Sequence, residues 1–360
     1  MKILVIALSG IGDALMFSPA ISLIRKYLPD AEIDLLCMFK GVKDVYEFNP
    51  KINQVIYFNF MKEGFVKSLF FLFKLRKKYD VTFNVYPSNR KEYNVISFIV
   101  GAGERYAVRY LRKDLENLGF LNNQRIVEND FLHNVEENLL LAELFLQNHN
   151  VVYEEWDGGL EIYFNSDVEE FADEWLKKNN INENDFVVGF HAGCATLKNH
   201  IKRRWEPEKF AELGNKLREE YKTKILLFGG PDEYELNEKI NSTMQNQAVV
   251  VKTESLLQTA AIMKRSNLFV TNDSALMHIA SALKLKVVAI FGPTNPNYVH
   301  PFKTSYKIAK LNLDCQPCFY YSPKPLSCSR TDVQFKCIKE LSVGLVLEKV
   351  QELLNDQNSH

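Results

Sequence analysis

Between residues 267 and 291 the chain reads as an apolar run, a polar turn, apolar residues at helical spacing and a second apolar run. That order is the pattern of a β-α-β unit. Residues 267–271 are predicted as a short buried strand and 287–291 as another, with a helix over 274–283 turning Leu276, Ile279, Ala280 and Leu283 inward. Strands joined through a helix run parallel, in a sheet covered on both faces. Asn272 and Asp273 stand where strand gives way to helix, so one can cap free amides while the next amides point outward. His278 lies four residues after Ser274 and shares its helix face. An imidazole, a hydroxyl and open helix amides at the carboxyl edge of a parallel sheet suit a phosphorylated ligand. Taken singly, an Asp at a helix start is a cap and a helical His is a hydrogen-bonded structural residue. The combination argues for a site.

The rest of the chain repeats the alternation twice. Strands are predicted over 2–8, 31–38, 54–58 and 81–85, with helices over 13–27, 65–79, 94–100 and 135–147. A second series starts afresh, with strands over 186–191, 224–228 and 248–251 and helices over 208–221, 235–245 and 256–265. A last helix spans 342–354, with Ser342 as its N-cap. At 360 residues the chain is too long for one ordinary core. We therefore expect an α/β protein of two doubly wound domains facing a central cleft, with the boundary in the stretch 160–183.

Composition narrows the function. Lys and Arg number 44 against 45 Asp and Glu, so no global field recommends a nucleic-acid partner. Gly10, Gly12 and Asp13 interrupt the apolar amino terminus before a secretory core forms, and Ser68 to Phe73 is far too short to span a bilayer. The expectation is a cytoplasmic protein. Six cysteines without an export signal fit a reducing compartment better than a disulfide framework.

Ser9-Gly-Ile-Gly-Asp13 follows the first strand and opens a helix, the setting of a dinucleotide fingerprint. The pattern fails where it matters. Leu15 stands at the third glycine position, and Cys37 and Met38 occupy the end of the second strand, where a ribose-binding acid belongs. A Rossmann-type NAD-dependent oxidoreductase is thereby disfavoured. Gly10 and Gly12 still allow close approach to the backbone. At a helix amino end the macrodipole favours ionised Asp13, a carboxylate able to take a proton. By position alone it could equally be a helix-start residue with no chemical task.

After the strand over 186–191, a loop runs from Ala192 to Trp205 with Lys202, Arg203 and Arg204 in succession. Three cations beside an aromatic are either a clamp on a diphosphate or a solvated turn with Trp205 packed inward. This loop and the helix opening at Ser274 both hang from carboxyl ends of strands in one domain, so they can meet at one crevice.

These residues carry a resemblance. Ser9-Gly-Ile-Gly-Asp13, Gly193 with the basic stretch and Trp205-Glu-Pro, Gly229-Gly-Pro-Asp-Glu233, Asn272-Asp-Ser-Ala-Leu-Met-His278 and Phe291-Gly-Pro-Thr294 resemble glycosyltransferase family 9. The ADP-heptose lipopolysaccharide heptosyltransferases are its best-known members, and the motifs keep the family's order over nearly the whole chain. The resemblance implies a GT-B architecture. Residues 1–165 would form the acceptor-binding domain and 166–340 the nucleotide-sugar domain, with a closing helix in 341–360 packing back toward the first. It further implies inverting transfer of heptose from an ADP-activated donor to a lipid-linked or surface-glycan acceptor. Asp13 matches the family's general base, Gly10 and Gly12 its acceptor-side loop, and Asp273, Ser274, Ala275 and His278 its donor turn. Gly193, Lys202, Arg203 and Arg204 stand on the donor side. The family usually has lysine two residues before the tryptophan, where this chain has Arg203, so which cation holds the phosphate stays open. With no Asp-x-Asp pair in the sequence, metal-independent transfer without a cofactor is expected.

Arg90, Arg105, Arg109 and Arg112 are available for an anionic acceptor. The helix over 65–79, apolar on one side and basic at its end, either rests on a membrane or packs on the sheet. Cys315-Gln-Pro-Cys318, Cys328 and Cys337 either supply four thiolates to a structural metal or remain reduced thiols ordering a loop. A non-catalytic nucleotide-sugar-binding protein is the remaining alternative.

Overall fold

The computed structural model describes residues 1–319 and 325–356. The chain divides into two compact units, Met1–Tyr163 and Phe164–His360.

In the first unit the strands are β1 (Lys2–Ala7), β2 (Glu32–Cys37), β3 (Gln54–Tyr57), β4 (Val81–Asn84), β5 (Glu104–Arg109) and β6 (Gln124–Val127). They pair in the order β3-β2-β1-β4-β5-β6, all parallel. The helices are α1 (Ile11–Leu15), α2 (Ser18–Tyr27), α3 (Lys40–Tyr46), α4 (Phe60–Leu75), α5 (Lys91–Val100) and α6 (Asn134–Asn148). Strand β1 is apolar and buried from Ile3 to Ala7, as a central strand covered on both faces must be. Leu4, Ile6 and Leu36 pack with Leu72, Leu75, Ile96 and Val100 of α4 and α5.

The second unit repeats the plan with β7 (Val187–His191), β8 (Lys224–Leu227), β9 (Ala248–Val250), β10 (Leu268–Asn272), β11 (Lys286–Ile290) and β12 (Tyr306–Ala309). Their order is β12-β11-β10-β7-β8-β9, again all parallel. Helices α7 (Ser166–Lys178), α8 (Pro207–Tyr221), α9 (Tyr234–Thr243), α10 (Leu256–Met263), α11 (Ala275–Ala282), α12 (Pro296–Val299), α13 (Lys336–Lys339) and α14 (Val343–Asn355) complete it. Each sheet winds outward from its first strand in one direction and then crosses to the other side. The two crossover points, between β1 and β4 and between β7 and β10, are where doubly wound sheets open a crevice at their carboxyl edge.

Several expectations are corrected. The helix expected over 13–27 is two helices, because Pro19 in the first turn of α2 has no amide with which to continue α1. Helix α4 begins five residues before its expected start and breaks at Gly64, whose φ of 77° suits glycine. Strands β5, β6 and β12 and helices α3 and α7 were not expected. Strand β5 reads Glu-Arg-Tyr-Ala-Val-Arg, so its charges disguise it as loop. Val343, Val346, Val350 and Leu353 of α14 belong to the second unit's core, with Val288, Ile290, Ala309 and Leu213.

Candidate functional site

In the first unit, Asp13 sits in the turn after β1, beside the crossover point. Its Oδ2 accepts the Gly10 amide at 3.3 Å, so the carboxylate folds back over the start of α1. A Cβ on Gly10 would lie 3.5 Å from that oxygen, an ordinary contact, and Gly12 is buried. Two tyrosines pin this turn from behind: Tyr93 donates its hydroxyl to the Leu8 carbonyl and Tyr46 to that of Ala14, both at 2.7 Å. Burial lifts the Tyr93 hydroxyl to about 12, with the Arg90 and Asp13 charges acting on it in opposite senses. Arg90 is exposed at the start of α5. The other basic candidates are otherwise engaged or turned to solvent. Arg105 donates to the carbonyls of Leu121 and Ala102, Arg112 pairs with Asp130 at 3.2 Å, and Arg109 is exposed.

In the second unit, the ends of β7, β8 and β10 converge. The centre of the convergence is His191, the last residue of β7. Its Nδ1 stands 2.8 Å from Ser274 Oγ and its Nε2 3.0 Å from Glu233 Oε2, and the ring is almost wholly buried. Burial works to raise the Glu233 carboxyl, but His191, the Gly230 amide and Arg204 together hold it below the usual value. The ionised carboxylate can only accept, so Nε2–H donates to it, and Nδ1 faces the Ser274 hydroxyl. A continuous Glu233–His191–Ser274 chain results. It fixes the hydroxyl at the first turn of α11.

That commitment has a consequence for the helix. Ser274 is the N-cap residue, yet its side chain makes no capping bond, since the hydroxyl is spent on His191. Nor does Asn272 cap. Its Nδ2 donates to the Ala192 carbonyl at 2.7 Å and its Oδ1 accepts the Trp205 amide at 3.0 Å, tying β10 to the loop after β7. The amides opening α11 at Ala275 are therefore left without a side-chain cap, at the positive end of the helix dipole. One turn on, His278 is buried, and its Nδ1 has no hydrogen-bond partner among the described residues. Burial lowers its pKa to about 4, so the ring is neutral near pH 7.

The three cations divide. Arg203 is buried and its Nη1 donates to Asp273 Oδ2 at 2.6 Å. Arg204 donates through Nη2 to the Cys194 carbonyl at 2.8 Å and to Glu233 Oε1 at 3.1 Å. Lys202 alone of the three is exposed, on the short turn Leu197–Arg203. Trp205 packs fully inward against Phe210 and donates its indole N–H to the Leu341 carbonyl. Gly193 answers a close approach: a Cβ there would fall 1.8 Å from Glu233 Oε1. His191 and Glu233 were not singled out as functional from the sequence. The signal available was a histidine ending an apolar strand and a carboxylate two residues after a Gly-Gly-Pro turn.

Among the described residues no group of three or more His, Cys, Asp or Glu is arranged to hold a metal ion. Cys328 accepts the Phe335 amide at 3.2 Å, and burial pushes the Cys337 thiol up to about 11. No helix among the described residues is long and apolar enough to cross a membrane.

Comparison with known proteins adds ancestry to this geometry. The sequence profile of glycosyltransferase family 9 (heptosyltransferase) matches residues 73–326. Lipooligosaccharide heptosyltransferase 2 of Campylobacter jejuni serotype O:2 is 34% identical over 167 residues, 44% of this chain and 48% of that protein. The chain thus spans about half the length of this curated relative and, at 47%, of its serotype O:6 counterpart. Lipopolysaccharide heptosyltransferase 1 of Campylobacter coli is 25% identical, covering 99% of this chain and 100% of that protein. Among solved structures, a family 9 glycosyl transferase from Veillonella parvula superposes with a TM-score of 0.78 at 21% identity, covering 99% of this chain and 97% of that one. ADP-heptose lps heptosyltransferase II of E. coli gives 0.74 at 20%, with both chains fully covered. At such identities the likeness is one of fold, and that fold is GT-B.

Proposed function

This chain belongs to glycosyltransferase family 9, and from that premise we propose that it moves heptose, or a closely related sugar, from an ADP-activated donor onto a lipopolysaccharide-core or other surface-glycan acceptor in the cytoplasm. The observation that carries the reading is the start of α11. Its amides have no side-chain cap, Ser274 is fixed in front of them by His191 and Glu233, and neutral His278 lies one turn behind. A diphosphate is the ligand such a helix end suits.

In this reading the acceptor hydroxyl attacks the anomeric carbon on the face opposite the diphosphate, so the configuration inverts. Asp13 takes the hydroxyl proton as the new C–O bond forms. The C–O bond to the diphosphate breaks, and its electron pair leaves with the phosphate oxygen. The charge developing there is met by the amides at Ala275 and Leu276 and by the cations of the turn before Trp205. Lys202 can swing onto the phosphate, whereas Arg203 and Arg204 act from fixed positions. Asp273 holds the first and Glu233 the second. The reading invokes no divalent cation.

The test is a panel of nucleotide sugars screened by thermal shift, followed by a transfer assay on the purified chain. ADP-heptose should raise the melting temperature, while NAD should not. Stabilisation by NAD alone would return the oxidoreductase alternative. Donor binding without product, with every acceptor offered, would mark a binding protein.

A further inference from the structure

The outward face of α4 is built as no solvated helix face is built. Leu72 and Leu75 are buried, and half-buried Phe71 stacks on Phe58 with ring centroids 4.1 Å apart, so the inner side is well occupied. At 100° per residue, Val66, Phe70 and Phe73 fall on the opposite side. They are 79%, 64% and 50% exposed, and Phe65, just past the break at Gly64, is 80% exposed. Single exposed apolar residues are ordinary, but several on one outward face mark a contact surface.

The charge around this face is one-sided. Residues 60–79 carry Lys62, Lys67, Lys74, Arg76, Lys77 and Lys78 against Glu63 alone, in a chain whose net charge is -1. All six cations are exposed. Lys74 stands 4.7 Å from the Phe70 ring and Arg76 5.9 Å from that of Phe73, each laying its stem along the aromatic border. A shallow groove of about 410 Å³ lined by Phe58, Val66, Lys67, Phe70, Phe71 and Lys74 runs between them.

The occupant follows from the charge. A second copy docked through the same face would set these cations against themselves. An anionic bilayer satisfies both halves of the face at once, its phosphates meeting the lysines while the aromatic side chains enter the headgroup and acyl boundary. No helix among the described residues can span a membrane, so the chain would lie on the surface. We propose that α4 is the surface by which this protein binds an anionic phospholipid bilayer. The inference is independent of the sugar-transfer reading and stands or falls without it.

The full chain is to be floated with vesicles of phosphatidylcholine alone and of phosphatidylcholine mixed equally with phosphatidylglycerol. Binding is expected only to the mixed vesicles, weakening as salt is raised. K67E/K74E should lower it roughly 20-fold or more, each lysine near an anionic surface being worth about a factor of five. F70S/F73S should also release the protein, while V152S, at an exposed site elsewhere, should bind as wild type. F70W keeps the aromatic ring and reports its surroundings, so its emission should shift to the blue on mixed vesicles even if the serine variant folds poorly. Failure of the wild type to float, equal binding to neutral vesicles, or an F70W spectrum unmoved by lipid would overturn the proposal. Self-association abolished by F70S/F73S, without vesicle binding, would replace the bilayer with a second copy.

Discussion

Arg203 Nη1 and Asp273 Oδ2 are 2.6 Å apart, and each side chain is less than a tenth exposed. A pair this well buried contributes little net stability, because desolvation offsets its attraction, but each partner is costly without the other. Asp273→Asn should therefore destabilise the protein by about 3–5 kcal/mol in urea denaturation, because it removes the buried carboxylate to which Arg203 Nη1 donates. The double variant R203M/D273L should recover most of that loss and still fail to bind donor. If D273N and the double variant unfolded at the same urea concentration, the buried-charge account would be wrong.

Gly193→Ala tests the relay from the outside. The new methyl would fall on Glu233 Oε1, which is already held by Arg204, while Oε2 is held by His191. The carboxylate has to give way, and overpacking of this kind costs about 1–3 kcal/mol. The sharper readout is catalytic. G193A, E233Q and H191Q should raise the KM for the nucleotide sugar by a similar factor of about 10, since all three release the Ser274 hydroxyl. Kinetics that separate G193A from the other two would show that glycine serves only the backbone.

The alternation of apolar runs and helices was enough to give two doubly wound sheets, because strands buried on both faces are written in the sequence as nearly unbroken apolar runs. Short strands interrupted by charge were not legible in the same way, and β5, β6 and β12, each carrying an arginine or a lysine, went unseen. Asp273, Ser274 and His278 could be proposed as site residues from their place at a strand-helix junction. The partnership of His191 with Glu233 could not, since it joins residues 42 apart through two strand ends whose neighbourhood only the sheet order fixes. Nor could the pairing of Arg203 with Asp273 be read, because a run of three cations looks alike whether it faces solvent or core.

Asp13 can be tested separately from binding. Its Oδ2 accepts the Gly10 amide at 3.3 Å, a contact that holds the carboxylate over the start of α1. Asp13→Asn keeps the shape and removes the base. It should reduce kcat about 10²–10⁴-fold with the donor's Kd unchanged by calorimetry. Retained transfer in D13N would remove Asp13 from the chemistry, whatever else the fold shares with its relatives.

His278 carries a pH dependence whose sign can be worked out. Its native pKa is about 4, against 6.5 for the solvent-exposed imidazole of the unfolded chain, because burial disfavours the imidazolium. Between those two values the unfolded state binds more protons, so native stability rises with pH through the window. The neutral ring thus contributes its full share above pH 6.5, and about 3 kcal/mol of it is lost as the solution is acidified toward pH 4. His200 is lowered to about 4 in the same direction, by burial and then by Arg203, so the wild-type slope contains both. Substituting His278→Gln isolates one of them: its stability should fall less steeply than wild type between pH 6.5 and 4, and the two curves should converge on acidification. Parallel curves in chemical denaturation across that window would mean that His278 is either solvated or protonated in the native state, and the neutral ring behind α11 would have to be given up.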